Sequence, residues 1–569
     1  YSVGYHLVRS FSRNVSLRAK ANPKLAGLIA ALLLVVFGNL GTARMFYDGF
    51  KQIGTPAGVQ EGNFIVGAGQ TAKGFVNYLT FKSPLPYPMD QWYWNPSRMI
   101  TPGEGEPGPI TEFPFFTFLY ADLHAHMISR SLTILSLAWG LSWILSVTQR
   151  RRRGKIDIAL ALFVGGLALG ALRPINTWDF PVYWVLGVLA VIFAVWWRDQ
   201  EFDLPQIGEA ALYAILLLAF SQFLYQPYHQ WYGQGYMSAQ VWKGSLTPMI
   251  DYLTVHGVFL FLIASWMAWE TREWMAQTPI SELNRLRPVA MWIASAAFLI
   301  VAVTAWLAGV GYQIVLIVIP LGVWALILLL RQDLSIGKRI VLFFVGTGLV
   351  LTFVVEVVVL KGDIGRMNTV FKFYLQVWEL FSLAAAAALA WTYASLPKWD
   401  RVWRWCWLTA TVLLIFSAAL YPLTASISKV RDRMTVTAPR TLDGMLYMDY
   451  VTNLFELGEQ IPLGDDYQAI RWMQDNVEGS PVIVEANIPE YRWGSRYSIY
   501  TGLPGVLGWR WHQTQQRVAA ENNGVDERLF QITSFYLTRT IAEAQEFLAE
   551  YDVKYVVVGG LERAYYAQV

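Results

Sequence analysis

The sequence predicts a mainly α-helical protein, a polytopic transmembrane helix bundle that carries a C-terminal extracytoplasmic α/β domain. Composition is the first reason: 55% of the 569 residues are hydrophobic and 15% are charged, against about 25% charged in a soluble domain. The mean hydropathy of +0.35 excludes a set of soluble domains. The other reason is that long apolar segments alternate with basic loops. We therefore assign residues 1–423 to the bundle and residues 424–569 to the second domain.

About eleven apolar segments are long enough to cross, or nearly cross, a hydrocarbon core of ~30 Å at ~1.5 Å per residue. Several of them are short or closely spaced, and the first could also be a tilted or re-entrant segment. The predicted spans are Leu25–Leu40, Met127–Thr148, Ile156–Leu172, Phe180–Trp197, Ile207–Leu224, Tyr252–Trp269, Val289–Gly309, Tyr312–Leu330, Ile340–Leu360, Leu375–Ala394 and Trp407–Leu423.

Basic residues predict the orientation of these spans. Lys and Arg concentrate in alternate loops, for example at Arg150–Arg153 and between Lys398 and Arg404, and short cytoplasmic loops carry such an excess. This pattern places a large Pro- and Gly-rich loop, residues 41–126, and the whole tail on the outer side. We expect a multi-pass protein of the cytoplasmic membrane whose first partners are membrane lipids.

The tail has the alternating pattern of a small α/β domain. Tyr467–Val477 and Ile541–Tyr551 have helical spacing of apolar residues, whereas Pro481–Glu485 and Lys554–Val558 are short β-rich runs. None of these apolar runs is long enough to span a membrane. The tail is therefore expected to fold in water or against the outer membrane surface.

Unusual polar residues gather at the predicted outer ends of the spans. Ionisable groups at membrane depth cost at least ~2.5 kcal/mol each and usually mark a path or a site. We therefore expect one outward-opening cavity lined by Asp122, His126, Asp179, Arg366 and Lys372. Further candidates for binding a substrate there are Arg173, Asn176 and Asn368.

The motif Asp122-Leu-His124-Ala-His126 suggests a metal site, because a carboxylate and two imidazoles are common ligands of a divalent metal ion. The three side chains share a face only if the segment is extended. The alternative is a helix start that Asp122 caps, with two interfacial histidines bonded to backbone.

Arg366 and Lys372 could bind an anionic group, since Arg offers a bidentate fork to phosphate and Lys a point charge. The alternative is an ion pair with Asp363, Glu356 or Glu379. Likewise, the segment from Arg173 to Asp179 could be a tight turn in which Asn176 and Asp179 bond local backbone.

Aromatic residues interleave with polar ones at Gln91–Trp94 and Trp509–His512. Trp509 could stack on a sugar ring, although interfacial aromatic belts have the same composition. The sequence has no Walker A, Rossmann or zinc-protease motif, and the net charge of +3 gives no reason to expect a nucleic-acid partner.

Three segments carry a family resemblance: EFPFFTFLYADLHAHMISRSL from Glu112, GALRPINTWDFPVY from Gly170 and RMNTVFKFYLQVW from Arg366. With these motifs the chain resembles the uncharacterised "YYY" family of multi-pass membrane proteins, over essentially its whole length. The tyrosine run that names that family would precede Tyr1, so we expect this sequence to be part of a longer chain.

The "YYY" family is in turn distantly similar to the GT-C class of glycosyltransferases. This resemblance implies an enzyme that moves a sugar from a lipid-linked polyprenyl-phosphate donor to an acceptor on the outer face. Asp122 and Asp179 would then be catalytic, with Asp122 as the general base or a metal ligand, and Arg366 or Lys372 would hold the phosphate. The alternatives are a transporter or flippase for a lipid-linked or anionic substrate, and a non-catalytic subunit of a membrane assembly.

Overall fold

The computed structural model describes residues 1–9, 21–56, 64–121, 123–148, 154–201, 203–231, 238–451, 454–517 and 522–566. The chain divides into two compact units. Unit 1 comprises Tyr1–Tyr228 and Ser238–Asp432, and unit 2 comprises His229–Met237 and Arg433–Val569.

Unit 1 is helical apart from one short strand pair. Its helices are α1 (Ser2–Arg9), α2 (Pro23–Ala31), α3 (Gly41–Gly54), α4 (Phe64–Leu79), α5 (Met89–Trp94), α6 (Pro114–Tyr120), α7 (Ala125–Thr148), α8 (Lys155–Ile175), α9 (Asp179–Asp199), α10 (Leu204–Phe223), α11 (Gln226–Trp231), α12 (Met249–Gln277), α13 (Ala290–Gly309), α14 (Val315–Leu329), α15 (Ile336–Val357), α16 (Met367–Ser395) and α17 (Arg401–Arg433). Strands β1 (Ala239–Val241) and β2 (Val358–Leu360) pair in antiparallel fashion.

Within the described residues, nine helices are long and apolar enough to cross a membrane. This confirms the mainly α, multi-span prediction but not its count of eleven. Helix α14 has 15 residues, or about 22 Å at ~1.5 Å per residue, which is shorter than the hydrocarbon core. At the predicted first span the chain bends by 56° between Pro23–Val36 and α3, so that segment crosses only if the bent pair acts as one.

Helix α16 forms the centre of unit 1. Its most apolar stretch is 94% buried, and it packs against α2, α12 and α15. Five consecutive alanines, Ala384–Ala388, are almost fully buried, and such small side chains let neighbouring helices approach closely. By contrast, α13 is 6% buried over its apolar stretch, as expected for a helix that faces lipid.

Residues 41–126 are more regular than the Pro- and Gly-rich loop that the sequence suggested. They contain α3, α4, α5 and α6. The difference arises because glycines here lie at helix–helix contacts: a Cβ built on Gly54 would lie 1.9 Å from the Gln70 carbonyl oxygen. These glycines therefore allow close packing and do not mark turns.

Unit 2 contains six helices and two strand pairs within its described residues. The helices are α18 (Leu463–Asn476), α19 (Arg496–Thr501), α20 (Arg510–Gln516), α21 (Val525–Leu537), α22 (Ile541–Glu550) and α23 (Gly560–Tyr565). Strands β3 (Leu454–Glu456) and β4 (Glu459–Ile461) are antiparallel, and β5 (Val482–Val484) and β6 (Val553–Val556) are parallel. The four predicted tail elements correspond to α18, β5, α22 and β6. Helix α17 continues to Arg433, ten residues beyond the predicted boundary.

Candidate functional site

Three helices bring polar faces together inside unit 1. On α7, Arg130 and Thr133 lie three residues apart, and on α9 Asp179 and Tyr183 lie four apart. On α16, positions i, i+4 and i+7 are also polar, and this spacing places side chains on one helix face. The hydrogen-bonded set, which we call the α7–α9–α16 cluster, consists of Arg130, Thr133, Asn176, Asp179, Tyr183, Lys372, Gln376 and Glu379.

Arg130 links the two carboxylates of this cluster. Its Nη2 donates to Asp179 Oδ2 at 2.8 Å, and its Nη1 lies 3.4 Å from Glu379 Oε1. Both carboxylates are fully buried. Charges at this depth require a partner, because an unpaired buried charge is far more costly than a paired one. The arginine thus compensates two acids that come from different helices.

Lys372 lies at the end of this network. Its Nζ donates to Asn176 Oδ1 at 3.3 Å, and Asn176 Nδ2 donates to Asp179 Oδ2 at 3.0 Å. Gln376 Nε2 also donates to Asp179, at 3.0 Å to Oδ1. Asp179 therefore accepts from Arg130, Asn176 and Gln376, whereas the contact of Lys372 with the neutral Asn176 is long.

Tyr183 connects the cluster to a cavity. Its hydroxyl donates to Glu379 Oε2, and its ring lines a cavity of about 730 Å³ between α7, α9, α15 and the end of α14. The lining is mostly apolar, with Trp197, Gln200 and Arg339 at the far end. From Tyr183 to Gln200 the wall runs 17 residues along α9, or about 25 Å at ~1.5 Å per residue. The cavity is thus long enough for an extended hydrocarbon chain.

Arg366 lies in a different hydrogen-bonded group. Its Nη1 lies 2.7 Å from Glu356 Oε1, and its Nη2 donates to Thr247 Oγ1 at 3.1 Å. Of the two alternatives that the sequence left open, the structure has the ion pair with Glu356. Arg366 and Lys372 are six residues apart, which is about 120° around a helix with 3.6 residues per turn. The described contacts therefore do not bring Arg366 together with Asp179 and Lys372, as the single-cavity prediction required.

The other predicted binding residues have local partners. Asn368 donates through its backbone and side-chain nitrogens to Asp363 Oδ1, at 3.1 and 3.0 Å. Arg173 is half-buried and its Nη1 donates to Gln222 Oε1 at 3.1 Å. Asn368 thus belongs to the start of α16, and Arg173 ties α8 to α10.

The predicted metal motif is only partly described, because Asp122 lies outside the described residues. The rings of His124 and His126 are 5.0 Å apart, and His126 Nε2 lies 3.8 Å from Glu112 Oε2. Across the ranges that the structure describes, no group of three His, Cys, Asp or Glu side chains is arranged to hold a metal ion. The proposed ligand set of Asp122, His124 and His126 stays a prediction.

Trp509 belongs to unit 2, at the start of α20. Its half-buried ring lies 5.0 Å from Tyr491 and 5.5 Å from His512, measured between ring centroids, and both contacts are edge-on. Tyr491 OH and His512 Nε2 are 3.0 Å apart. Trp509 is therefore one of three mutually packed rings, and Trp511 beside it is 51% exposed.

Sequence reasoning missed much of the α7–α9–α16 cluster. Arg130, Thr133, Tyr183 and Gln376 were not singled out, and Glu379 was considered only as a partner for Arg366. The signal was present: polar residues at i, i+4 and i+7 within an apolar span define one helix face. It was overlooked because the search followed the loops at the ends of the spans.

The comparison with protein families fits this architecture. The model of the family described as "Uncharacterized membrane protein (DUF2298)" matches residues 1–381, about two thirds of the chain. The matched segment contains every residue of the α7–α9–α16 cluster and ends two residues after Glu379. No curated protein matches the chain. The earlier resemblance to an uncharacterised membrane family is thereby confirmed at that level, and the chain belongs to the DUF2298 family of uncharacterized membrane proteins.

Proposed function

We propose that this protein is a membrane glycosyltransferase of the GT-C type, which takes a sugar from a polyprenyl-phosphate carrier. The observation that carries the proposal is the continuity between the long apolar cavity and the buried α7–α9–α16 cluster through Tyr183. A polyprenyl-phosphate needs both features, because its chain is apolar and its headgroup is charged. Ligand sites commonly combine an apolar lining with a few convergent polar groups.

In this proposal Lys372 binds the donor phosphate in place of Arg366. The charge of Arg366 is compensated by Glu356 at 2.7 Å, whereas Lys372 contacts a neutral amide at 3.3 Å and can turn to a phosphate. A cation at this position would stabilise the phosphate as it leaves the anomeric carbon.

The acceptor hydroxyl has to lose its proton to a carboxylate in such a transfer. Asp179 is fully buried and accepts hydrogen bonds from three side chains, so we assign it to positioning Arg130 and Asn176. Asp122 remains the proposed base, with a divalent metal ion at Asp122, His124 and His126 as an open variant. Trp509 is kept as a proposed contact for the sugar or the acceptor.

We also propose that unit 2 contains an α/β domain on the outer side of the cytoplasmic membrane. The parallel β5–β6 pair and the helices around it support the fold class. The alternation of basic loops supports the side.

The experiment measures transfer from polyprenyl-phosphate monosaccharides by the full chain in nanodiscs. Lys372→Ala should lower the rate about 100- to 1000-fold, the usual cost of removing one group that stabilises developing charge. The control is Lys361→Ala, which removes an exposed lysine eleven residues upstream. Equal rates for the Lys372→Ala variant and the unchanged chain would contradict the assignment.

A second variant tests the cavity separately. Gly140 lines the cavity, and a Cβ there would contact only Ala190 Cβ, at 3.4 Å. Gly140→Leu should narrow the cavity and weaken binding of the polyprenyl chain. Gly208→Leu is the matched control, because nothing lies within 4 Å of a Cβ at Gly208. The same loss in both variants would show that the effect does not come from the cavity.

One observation favours transport as a second candidate. Glu379 is the thirteenth residue of α16 and is fully buried, with Arg130 as its counterion. Charged groups this far along a span are typical of substrate or ion pathways. Accumulation of a lipid-linked or anionic substrate inside sealed vesicles, without sugar transfer, would support this candidate over the transferase.

A further inference from the structure

The helical hairpin formed by α3 and α4 has an inverted distribution of polarity. Side chains of α4 that face α3 are small or polar, and Gly67, Gln70 and Gly74 are buried there. The free side of α4 is apolar: Ile65 is 78% exposed, Val76 54% and Leu79 56%. A surface helix of a soluble protein buries its apolar face and exposes its polar one. Helix α4 does the opposite.

The two helices of the hairpin are in very close contact. A Cβ built on Gly74 would lie 1.7 Å from the Phe50 carbonyl oxygen, which no side chain could tolerate. Asn77 Nδ2 adds a hydrogen bond to the Ile53 carbonyl at 3.4 Å. Close approach through glycines is the usual way in which helices associate in lipid, where burying apolar side chains between helices gives no advantage.

Helix α3 gives the hairpin a polar side. Asp48 and Gln52 are exposed on it, and Arg44 pairs with Asp48 at 3.7 Å. The hairpin as a whole therefore has one free polar side, on α3, and one free apolar side, on α4. A large moment of this kind is typical of segments that lie in the plane of a membrane surface.

The attachment of the hairpin to the bundle fixes its level. The Leu40 N–H, just before α3, donates to the Thr254 carbonyl at 2.9 Å, and Arg44 pairs with Asp251 at 2.5 Å. Asp251 and Thr254 lie in the first two turns of the spanning helix α12. Because the ends of a spanning helix lie near the membrane surface, α3 leaves the bundle at that level.

We propose that the α3–α4 hairpin lies in the bilayer interface, with α4 against the hydrocarbon and α3 toward water. The occupant of the exposed apolar side is thus lipid. Phe81, 97% exposed directly after α4, extends the apolar side, and the exposed Lys73 and Lys82 can reach anionic headgroups. This inference is independent of the proposed function.

The test uses nitroxide spin labels on the full chain in vesicles of phosphatidylcholine and phosphatidylglycerol. Cys406, the one cysteine of the chain, is first replaced by serine. Labels are then placed by Val76→Cys on the apolar side of α4 and by Gln52→Cys on the polar side of α3. Collision rates with oxygen, which concentrates in hydrocarbon, and with a water-soluble nickel chelate are compared at both positions.

We expect oxygen to collide more often than the nickel chelate with the label at residue 76, and the reverse at residue 52. Dominance of the nickel chelate at residue 76 would place α4 in water and overturn the proposal. Protection from both reagents at residue 76 would mean that protein covers this side, either unit 2 or a second copy, and would overturn it as well. A label from Leu79→Cys repeats the measurement should the variant at residue 76 fold poorly.

Discussion

Burial decides what an arginine does in this protein. Arg130 is enclosed between Asp179 and Glu379, each of which is fully buried. Arg198 forms equally short contacts with Asp199 and Glu209, but 38% of its side chain is exposed. Water screens the second set of charges and cannot screen the first. The same three-charge arrangement is therefore worth very different amounts at the two sites.

Removing each arginine should show this difference. Arg130→Met leaves two buried carboxylates without a counterion, and we expect it to lower the free energy of unfolding by about 3–5 kcal/mol. The matched change Arg198→Met should cost less than about 1 kcal/mol. Detergent-induced unfolding of both variants under the same conditions measures the difference. Similar losses would mean that Arg130 is screened by water or by a ligand.

Two buried carboxylates of unit 2 should affect stability with opposite dependence on pH. Burial raises the pKa of Glu485 above its ordinary 4.5. Burial also acts to raise the pKa of Glu562, but the charge and hydrogen bonds of Arg496 outweigh it and lower that pKa below 4.5. Glu485 thus costs stability as pH rises above 4.5, whereas the stability that Glu562 contributes is lost as pH falls below 4.5.

Glu485→Gln should therefore become more stable relative to the unchanged chain as pH rises above 4.5. Glu562→Gln should lose its disadvantage as pH falls below 4.5, because protonation removes the same charge from the native glutamate. The midpoint temperature for proteolysis of unit 2 in the full chain, followed between about pH 3 and pH 7, measures both. A parallel pH dependence in the two variants would contradict the assignment of opposite pKa shifts.

At the scale of a single element, the sequence predicted existence and type better than role. The long spans were visible because their apolar runs are continuous, and β5 and β6 because they are short and rich in valine. Helix α4 was missed because its glycines resemble turn signals, although Gly67, Gly69 and Gly74 lie within one regular helix. A glycine that permits helix contact and one that permits a turn look alike in a sequence.

Gly74 and Gly69 of α4 provide a matched pair for testing the hairpin. Gly74→Ala would force a methyl group into the Phe50 carbonyl, so we expect α3 and α4 to separate at a cost of about 1–3 kcal/mol. Gly69→Ala meets nothing within 4 Å and should instead stabilise the helix by about 0.5–1 kcal/mol. The distance between spin labels at residues 52 and 76 reports the separation. An unchanged distance in the Gly74→Ala variant would show that the helices are less closely packed than described.

At the scale of the whole molecule, sequence patterns predicted the membrane class but not which polar groups meet. Hydropathy is a property of a segment and is visible without tertiary structure. The pairing of Arg130 with Asp179 and Glu379 joins residues 49 and 249 positions apart. The two arginines show the limit: Arg366 was noticed because it stands in a motif, whereas Arg130 links the carboxylates of α9 and α16.

Topology is the remaining whole-molecule prediction. The basic loops place residue 154 in the cytoplasm and residue 522 outside, and both Gly154 and Asn522 are exposed. In a chain with Cys406 replaced by serine, Gly154→Cys should resist a membrane-impermeant thiol reagent in intact cells and react after permeabilisation. Asn522→Cys should react in both conditions, because no bilayer separates it from the reagent. Equal labelling of the two positions in intact cells would reverse or remove the assigned sidedness, and with it the outer location proposed for unit 2.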